Sequence, residues 1–148
     1  MESKTINLTQ LFLRIAIAIT FLSAVADRFG LWGAPGQASV TWGNWENFRI
    51  YSNSVNSFVP ESIGNMLAIV ATVFEIIFSI FLLIGFKIRI VSAAAGVLLA
   101  CFGLAMTISF GIRPALDYSV WVDVTACFLL ASIPSYAYSI DSKTLSKT

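Results

Sequence analysis

The sequence predicts an all-α, polytopic membrane protein: a four-helix transmembrane bundle, one domain over residues 1–148, with a short interfacial helix between the first and second spans. Only 11% of the 148 residues are charged, where a soluble domain carries roughly 25%, and the mean hydropathy is +0.83. Apolar stretches recur at about 9–29, 62–86, 90–110 and 117–138. At ~1.5 Å per residue, each is long enough to cross a hydrocarbon core of ~30 Å.

Composition narrows the function. A formal net charge of +1 offers no basic surface for nucleic acid. Histidine is absent, which removes bis-His haem ligation, His-bearing metal sites and Ser-His or Cys-His nucleophile pairs. No metal site is expected. Cys101 and Cys127 lie in apolar runs without CxxC spacing, so both are expected as small core residues rather than a redox pair. Their distance apart is not set by the sequence.

The first span, LFLRIAIAITFLSAVADRFG, is the seam for the other helices. Arg14 and Arg28 stand two heptads apart, within roughly 40° of each other on a helix. Ala18, Phe21 and Val25 lie between them. A strip with a guanidinium at each end should face inward, away from lipid. Phe21 to Ala26 also resembles a signal-peptidase site, but Arg14 within the apolar region and the near-neutral start argue for a retained span.

A long connection follows, turn-like at Gly33, Pro35 and Gly36. Trp45, Phe48, Tyr51, Val55 and Phe58 then recur at spacings of three and four, with Asn44 placed as the cap. This predicts a helix over about 44–58. Trp42, Trp45, Phe48 and Tyr51 are its candidate interfacial aromatics, so it should lie along the membrane surface or pack as a loop over the bundle end.

Within the second span, Glu75 falls near mid-depth, with Thr72 and Ser79 on its face. A carboxylate there must be paired or protonated. Lys87 and Arg89 form a basic turn before the uncharged third span. In that span Ser92, Gly96, Ala100 and Gly103 make a small-residue ridge for close helix approach. Asp117 is the expected cap of the fourth span, where Ser119, Asp123 and Cys127 form a polar stripe and Pro134 a bend. The tail with Lys143 and Lys147 reads as disordered.

Lys and Arg in the short flanks favour both termini on the cytoplasmic side, in a bacterial-type inner membrane. Helical depth then suggests an Arg14–Glu75 pair at the inner side and an Arg28–Asp123 pair at the outer side. Such pairs either neutralise charge and fix register, or line a polar pocket for a ligand or protons. The candidate polar-core residues are Arg14, Asp27, Arg28, Thr72, Glu75, Ser79 and Asp123. No catalytic residue is identified.

The first-span sequence above, with ENF, ATVFEIIFSIFLLIGFKIR and DYSVWVD, resembles the DoxX family of small four-helix membrane proteins over nearly the whole chain. In that resemblance Arg14 corresponds to the early arginine, Glu75 to the acid of the second helix, and Gly85 with Arg89 to the basic inner turn. Ala18 stands where family sequences often carry glycine. The resemblance implies association with quinone-linked sulfur oxidation and membrane redox complexes. Arg14, Glu75 and Asp123 would then engage a quinone carbonyl, with Phe21 and Trp121 against its ring. No redox cofactor motif is visible, so electrons would come from a partner.

The expected function is therefore an accessory or quinone-interacting membrane subunit rather than an autonomous enzyme. It is expected to contact the bilayer and either a protein partner or further copies of itself. The alternatives are a small transporter or proton path, and a structural assembly factor without a ligand.

Overall fold

The computed structural model describes residues 2–145, all of whose regular structure is helical. α1 (Glu2–Arg28), α3 (Glu61–Ile84) and α4 (Ile88–Phe110) are the long elements. All three are long and apolar enough to cross a membrane. α2 (Trp45–Val55) stands between the first two, and the C-terminal part divides into α5 (Ile112–Asp117), α6 (Val120–Ser132) and α7 (Ile140–Leu145).

α1 packs against α3, and α4 packs most extensively against α6. Gly85 reverses the chain between α3 and α4. Its φ of 74° is left-handed, and the amides of Gly85 and Phe86 both donate to the Phe81 carbonyl, at 2.9 and 3.0 Å. A side chain there would also run into Ser139, 2.5 Å from an added Cβ. The small-residue ridge of α4 does what its spacing predicted. An added Cβ at Gly96 would lie 3.2 Å from Cys127 and Phe128, and one at Gly103 3.2 Å from Val120 and Trp121. Small residues on α4 thus let α6 approach closely.

The fourth apolar stretch is not a single rod. Asp117 ends α5, 3.4 Å from Arg113, instead of capping the last long helix. Tyr118 and Ser119 then break the axis, Ser119 having a φ of 56°. α6 runs for 13 residues, about 20 Å at the helical rise. Pro134 ends it rather than bending it: Ile133, immediately before the proline, is extended at φ −65° and ψ 133°, the conformation that proline imposes on its predecessor.

The stretch expected to be disordered is also folded up to Leu145. Asp141 accepts from the amides of Lys87 and Ile88, at 2.8 and 2.9 Å, and so caps α4. Its own amide donates to the Gly85 carbonyl. Gln10 donates to the Ala137 carbonyl and Arg14 to that of Tyr138. The segment after α6 therefore closes the end of the bundle formed by the Gly85 turn. Lys147 lies outside the described residues.

One hydrophobic cluster fills that half: Ile17, Ala18, Phe21, Leu82, Ile88, Val91, Ala95, Cys127, Leu130 and Tyr136. Cys127 is buried there, whereas Cys101 is exposed on α4, and both are free thiols.

Asp141→Ala should destabilise the protein by about 1 kcal/mol through loss of the two capped amides. It should also speed protease cleavage after Pro134, read by limited proteolysis in detergent. An unchanged cleavage rate would show that Gln10, Arg14 and the residue 141 amide hold the tail without the Asp141 carboxylate.

Candidate functional site

The pairing of buried charges differs from the sequence expectation. Arg28, not Arg14, meets Glu75: Nη1 lies 2.6 Å from Oε2, and Nη2 donates to Oε1 at 3.0 Å. Nη1 also donates to Thr72 Oγ1 at 2.7 Å, and the Thr72 hydroxyl in turn donates a hydrogen bond to the Ala68 carbonyl at 2.8 Å. Ser79 donates to the Glu75 carbonyl at 2.7 Å. Arg28 and Glu75 are 3% and 2% exposed. This two-pronged contact matches the planar fork of the guanidinium to the carboxylate.

The difference arises from the relative heights of α1 and α3. Thr72 and Glu75 lie about 16 and 21 Å along α3 from Glu61, at ~1.5 Å per residue. The last residue of α1 therefore makes its contacts midway along α3. Arg14 in turn lies at the Gly85 turn, with Nη1 3.2 Å from where a Gly85 Cβ would be. There it serves the tail carbonyl and cannot reach Glu75. Asp123 is half-buried in the first turn of α6 and forms no ion pair or hydrogen bond through its side chain among the described residues. Phe21 belongs to the hydrophobic cluster, and Trp121 packs between α6 and α4.

The upper half of α3 is flanked by α2 instead of α1. Asn44 caps α2 as expected, its Oδ1 accepting from the Asn47 amide at 2.8 Å. α2 ends at Val55, so Phe58 lies beyond it and is exposed. Arg49 bonds Glu61 and Asn65, and Asn53 bonds Asn65. Gly64 leaves the space that Asn53 occupies. Hydrogen bonding from Arg49 also holds the exposed Glu46 carboxyl below its ordinary range.

The four residues read as interfacial aromatics converge on Arg28 or beside it. Its guanidinium lies 4.0 Å from the centre of the Phe48 ring and 5.5 Å from that of Trp42, within reach of cation–π attraction. Trp42 contacts Phe48 edge-on at 5.1 Å and Tyr51 at 5.7 Å, while Trp45 stacks on Phe29 at 5.9 Å. Asp27 sets this arrangement. Its Oδ2 accepts from the amides of Thr41 and Trp42, at 3.1 and 2.8 Å, pinning the end of the 29–44 loop to the end of α1. Gly30 and Gly43, both at positive φ, cross so closely that a Cβ on Gly30 would sit 2.8 Å from the Gly43 carbonyl oxygen. The two adjacent charges Asp27 and Arg28 therefore do separate jobs: one holds a loop, the other the helix opposite.

Beneath this roof lies a cavity of about 800 Å³, in the range of pockets that hold small-molecule ligands. Its walls come from α1 (Thr20, Ala24), α3 (Leu67, Ala71) and α4 (Leu98, Phe102), with Phe48, Tyr51 and Ser52 of α2 above. Tyr118 and Val120, at the α5–α6 break, complete it. The 29–44 connection and the Tyr118–Ser119 break both border the space. The hydroxyls of Thr41, Tyr51 and Ser52 make no hydrogen bond among the described residues, and burial pushes the Tyr51 hydroxyl up, keeping it a donor near neutrality. Among the described residues no group of His, Cys, Asp and Glu could hold a metal ion.

Thr41, Ser52 and Tyr118 had no signal in the sequence, since lone hydroxyl residues are common in loops and on amphipathic helices. The link between Arg28 and the aromatic face did have one: an aromatic helix face needs something to cover, and a guanidinium is a favourable partner.

The DoxX family model matches residues 9–110 of this chain. No curated protein and no solved structure matches it.

Glu75→Gln leaves the Arg28 charge buried without its counter-ion and should cost about 3–5 kcal/mol. Replacing both with leucine should cost less than either single change. Thermal unfolding in one detergent compares the three, and additive losses would show that the two groups do not act as a pair.

Proposed function

This chain belongs to the DoxX family, and we propose that it is a membrane subunit whose cavity receives the head of a quinone-like, lipid-soluble ligand. Electrons would be supplied by a protein partner. The observation that carries this reading is the apolar space of about 800 Å³ directly under an aromatic-capped ion pair. A flat ring fits beside Trp42 and Phe48, where ring contacts are worth about 0.5–1.5 kcal/mol beyond the area buried. Ser52 and Tyr51 would donate to its carbonyl oxygen. Arg28, already engaged by Glu75 and Thr72, shapes the roof and holds α1 to α3.

In this reading α5 and α6 together form a fourth, broken crossing. α2 seats at the membrane boundary, with Glu46, Arg49 and Glu61 facing water and Phe48 and Val55 facing inward. The basic pair Lys87 and Arg89 supports a cytoplasmic side of an inner membrane for the Gly85 turn and the termini. The chain binds and orients the ligand and is not an enzyme by itself.

A benzoquinone carrying a decyl chain, titrated into the full chain in nanodiscs, should quench tryptophan fluorescence saturably. The Ser52→Ala, Tyr51→Phe double variant should bind it roughly tenfold more weakly, the equivalent of about one hydrogen bond. Quenching that never saturates, identical in both proteins, would rule out a site.

A further inference from the structure

The cavity is shut along the bundle axis. At the α2 end, Arg49 bonds Glu61, Asn53 bonds Asn65, Ser57 bonds Ser109, and Ser109 donates to the Val55 carbonyl at 2.6 Å. α2 is thereby tied to both α3 and α4. At the other end the hydrophobic cluster of Leu82, Ile88, Val91 and Ala95 fills the bundle. Trp32, whose indole donates to the Ser23 carbonyl at 3.0 Å, is 60% exposed and, like Tyr118 at 67%, also lines the cavity, so one exposed edge lies beside the 29–44 loop and the α5–α6 break.

The seam between α3 and α4 is different. It is closed near the Gly85 turn, where Leu82 and Ile88 are fully buried. Towards α2 it opens: Leu67 and Val70 of α3 are 37% and 40% exposed, Cys101 of α4 is exposed, and all three also line the cavity. Side chains that face both the outer surface and the interior space mark an opening. Since α3 and α4 have the length and apolarity of membrane spans, this one faces acyl chains rather than water.

Charge limits what can enter. Among the described residues Arg28 is the only cation lining the cavity, and Glu75 already neutralises it. Asp27 is the only acid among the described lining residues, and its Oδ2 is taken by two amides. An anionic headgroup would find no free counter-charge and would be desolvated at a cost of several kcal/mol. The hydroxyls of Ser52 and Tyr51 suit an uncharged acceptor.

We infer that the cavity is loaded sideways from the bilayer through the α3–α4 seam beside Leu67, Val70 and Cys101, and that its occupant is a neutral lipid with a slim chain and a small hydrogen-bond-accepting head. This rests on the reading of the cavity as a site for a lipid-soluble ligand. The chain of the occupant would lie in the seam, over Cys101.

A fully ring-substituted decyl benzoquinone carrying a diazirine on its chain reports on this directly: it is photolysed with wild-type protein in nanodiscs, and adducts are located by peptide mass spectrometry. Adducts should fall at Leu67, Val70 or Cys101, and the diazirine-free quinone at ten times its dissociation constant should reduce them about tenfold. A short-chain phosphatidylglycerol at the same concentration should leave them unchanged. Equal competition by the anionic lipid would overturn the neutral-head assignment. Saturable tryptophan quenching with adducts only elsewhere would overturn the portal while leaving the site standing. Neither quenching nor adducts would remove the site itself.

Discussion

A guanidinium held in a nearly dry interior must be neutralised where it stands, and the position of Arg28 sets much else in this molecule. Its fork closes on Glu75 and Thr72, which fixes the height of α1 against α3. Burying such a pair is weak evidence for added stability, because desolvation offsets most of the attraction. Its firmer consequence is register: sliding α1 by one turn would strand both charges. With the last residue of α1 committed midway along α3, the chain needs another element to flank the remaining length. The 29–44 loop and α2 supply it.

That division creates the cavity. One continuous helix in place of α1 and α2 would have filled the space with its own side chains. Instead the chain leaves the axis at Gly30, returns at Asn44, and covers the gap with an amphipathic helix only 11 residues long. On the opposite side α5 and α6 are interrupted at Tyr118 and Ser119 in the same way. Asp27 and Arg28 sit where these choices meet. The aromatic rings above them cover the charge and give the void a flat, polarisable ceiling.

The two halves of the bundle differ accordingly. The half near the Gly85 turn is packed with aliphatic side chains and strapped by the tail through Gln10, Arg14 and Asp141. The half near α2 is hollow and is joined by polar contacts among Arg49, Asn53, Glu61 and Asn65 together with a small hydrophobic cluster of Val55, Ala105, Met106 and Ala115. The packed base and the hollow top are held by different contacts, so substitutions around the cavity leave those of the base in place.

The sequence by itself determined the class of protein, the three long helices, the Asn44-capped amphipathic helix and the small-residue contact face of α4. Each follows from local rules: hydropathy over a window, a 3.6-residue period, a capping side chain, glycine spacing. It also showed that Arg14, Arg28 and Glu75 turn inward. Only the tertiary structure decided that Glu75 belongs to Arg28, that Arg14 serves the tail, and that Asp123 finds no partner among the described residues. Such pairings depend on the relative height of helices, which the loop after Arg28 sets and which no local pattern encodes. The cavity was illegible for the same reason, since a void is made by residues far apart in sequence that fail to meet.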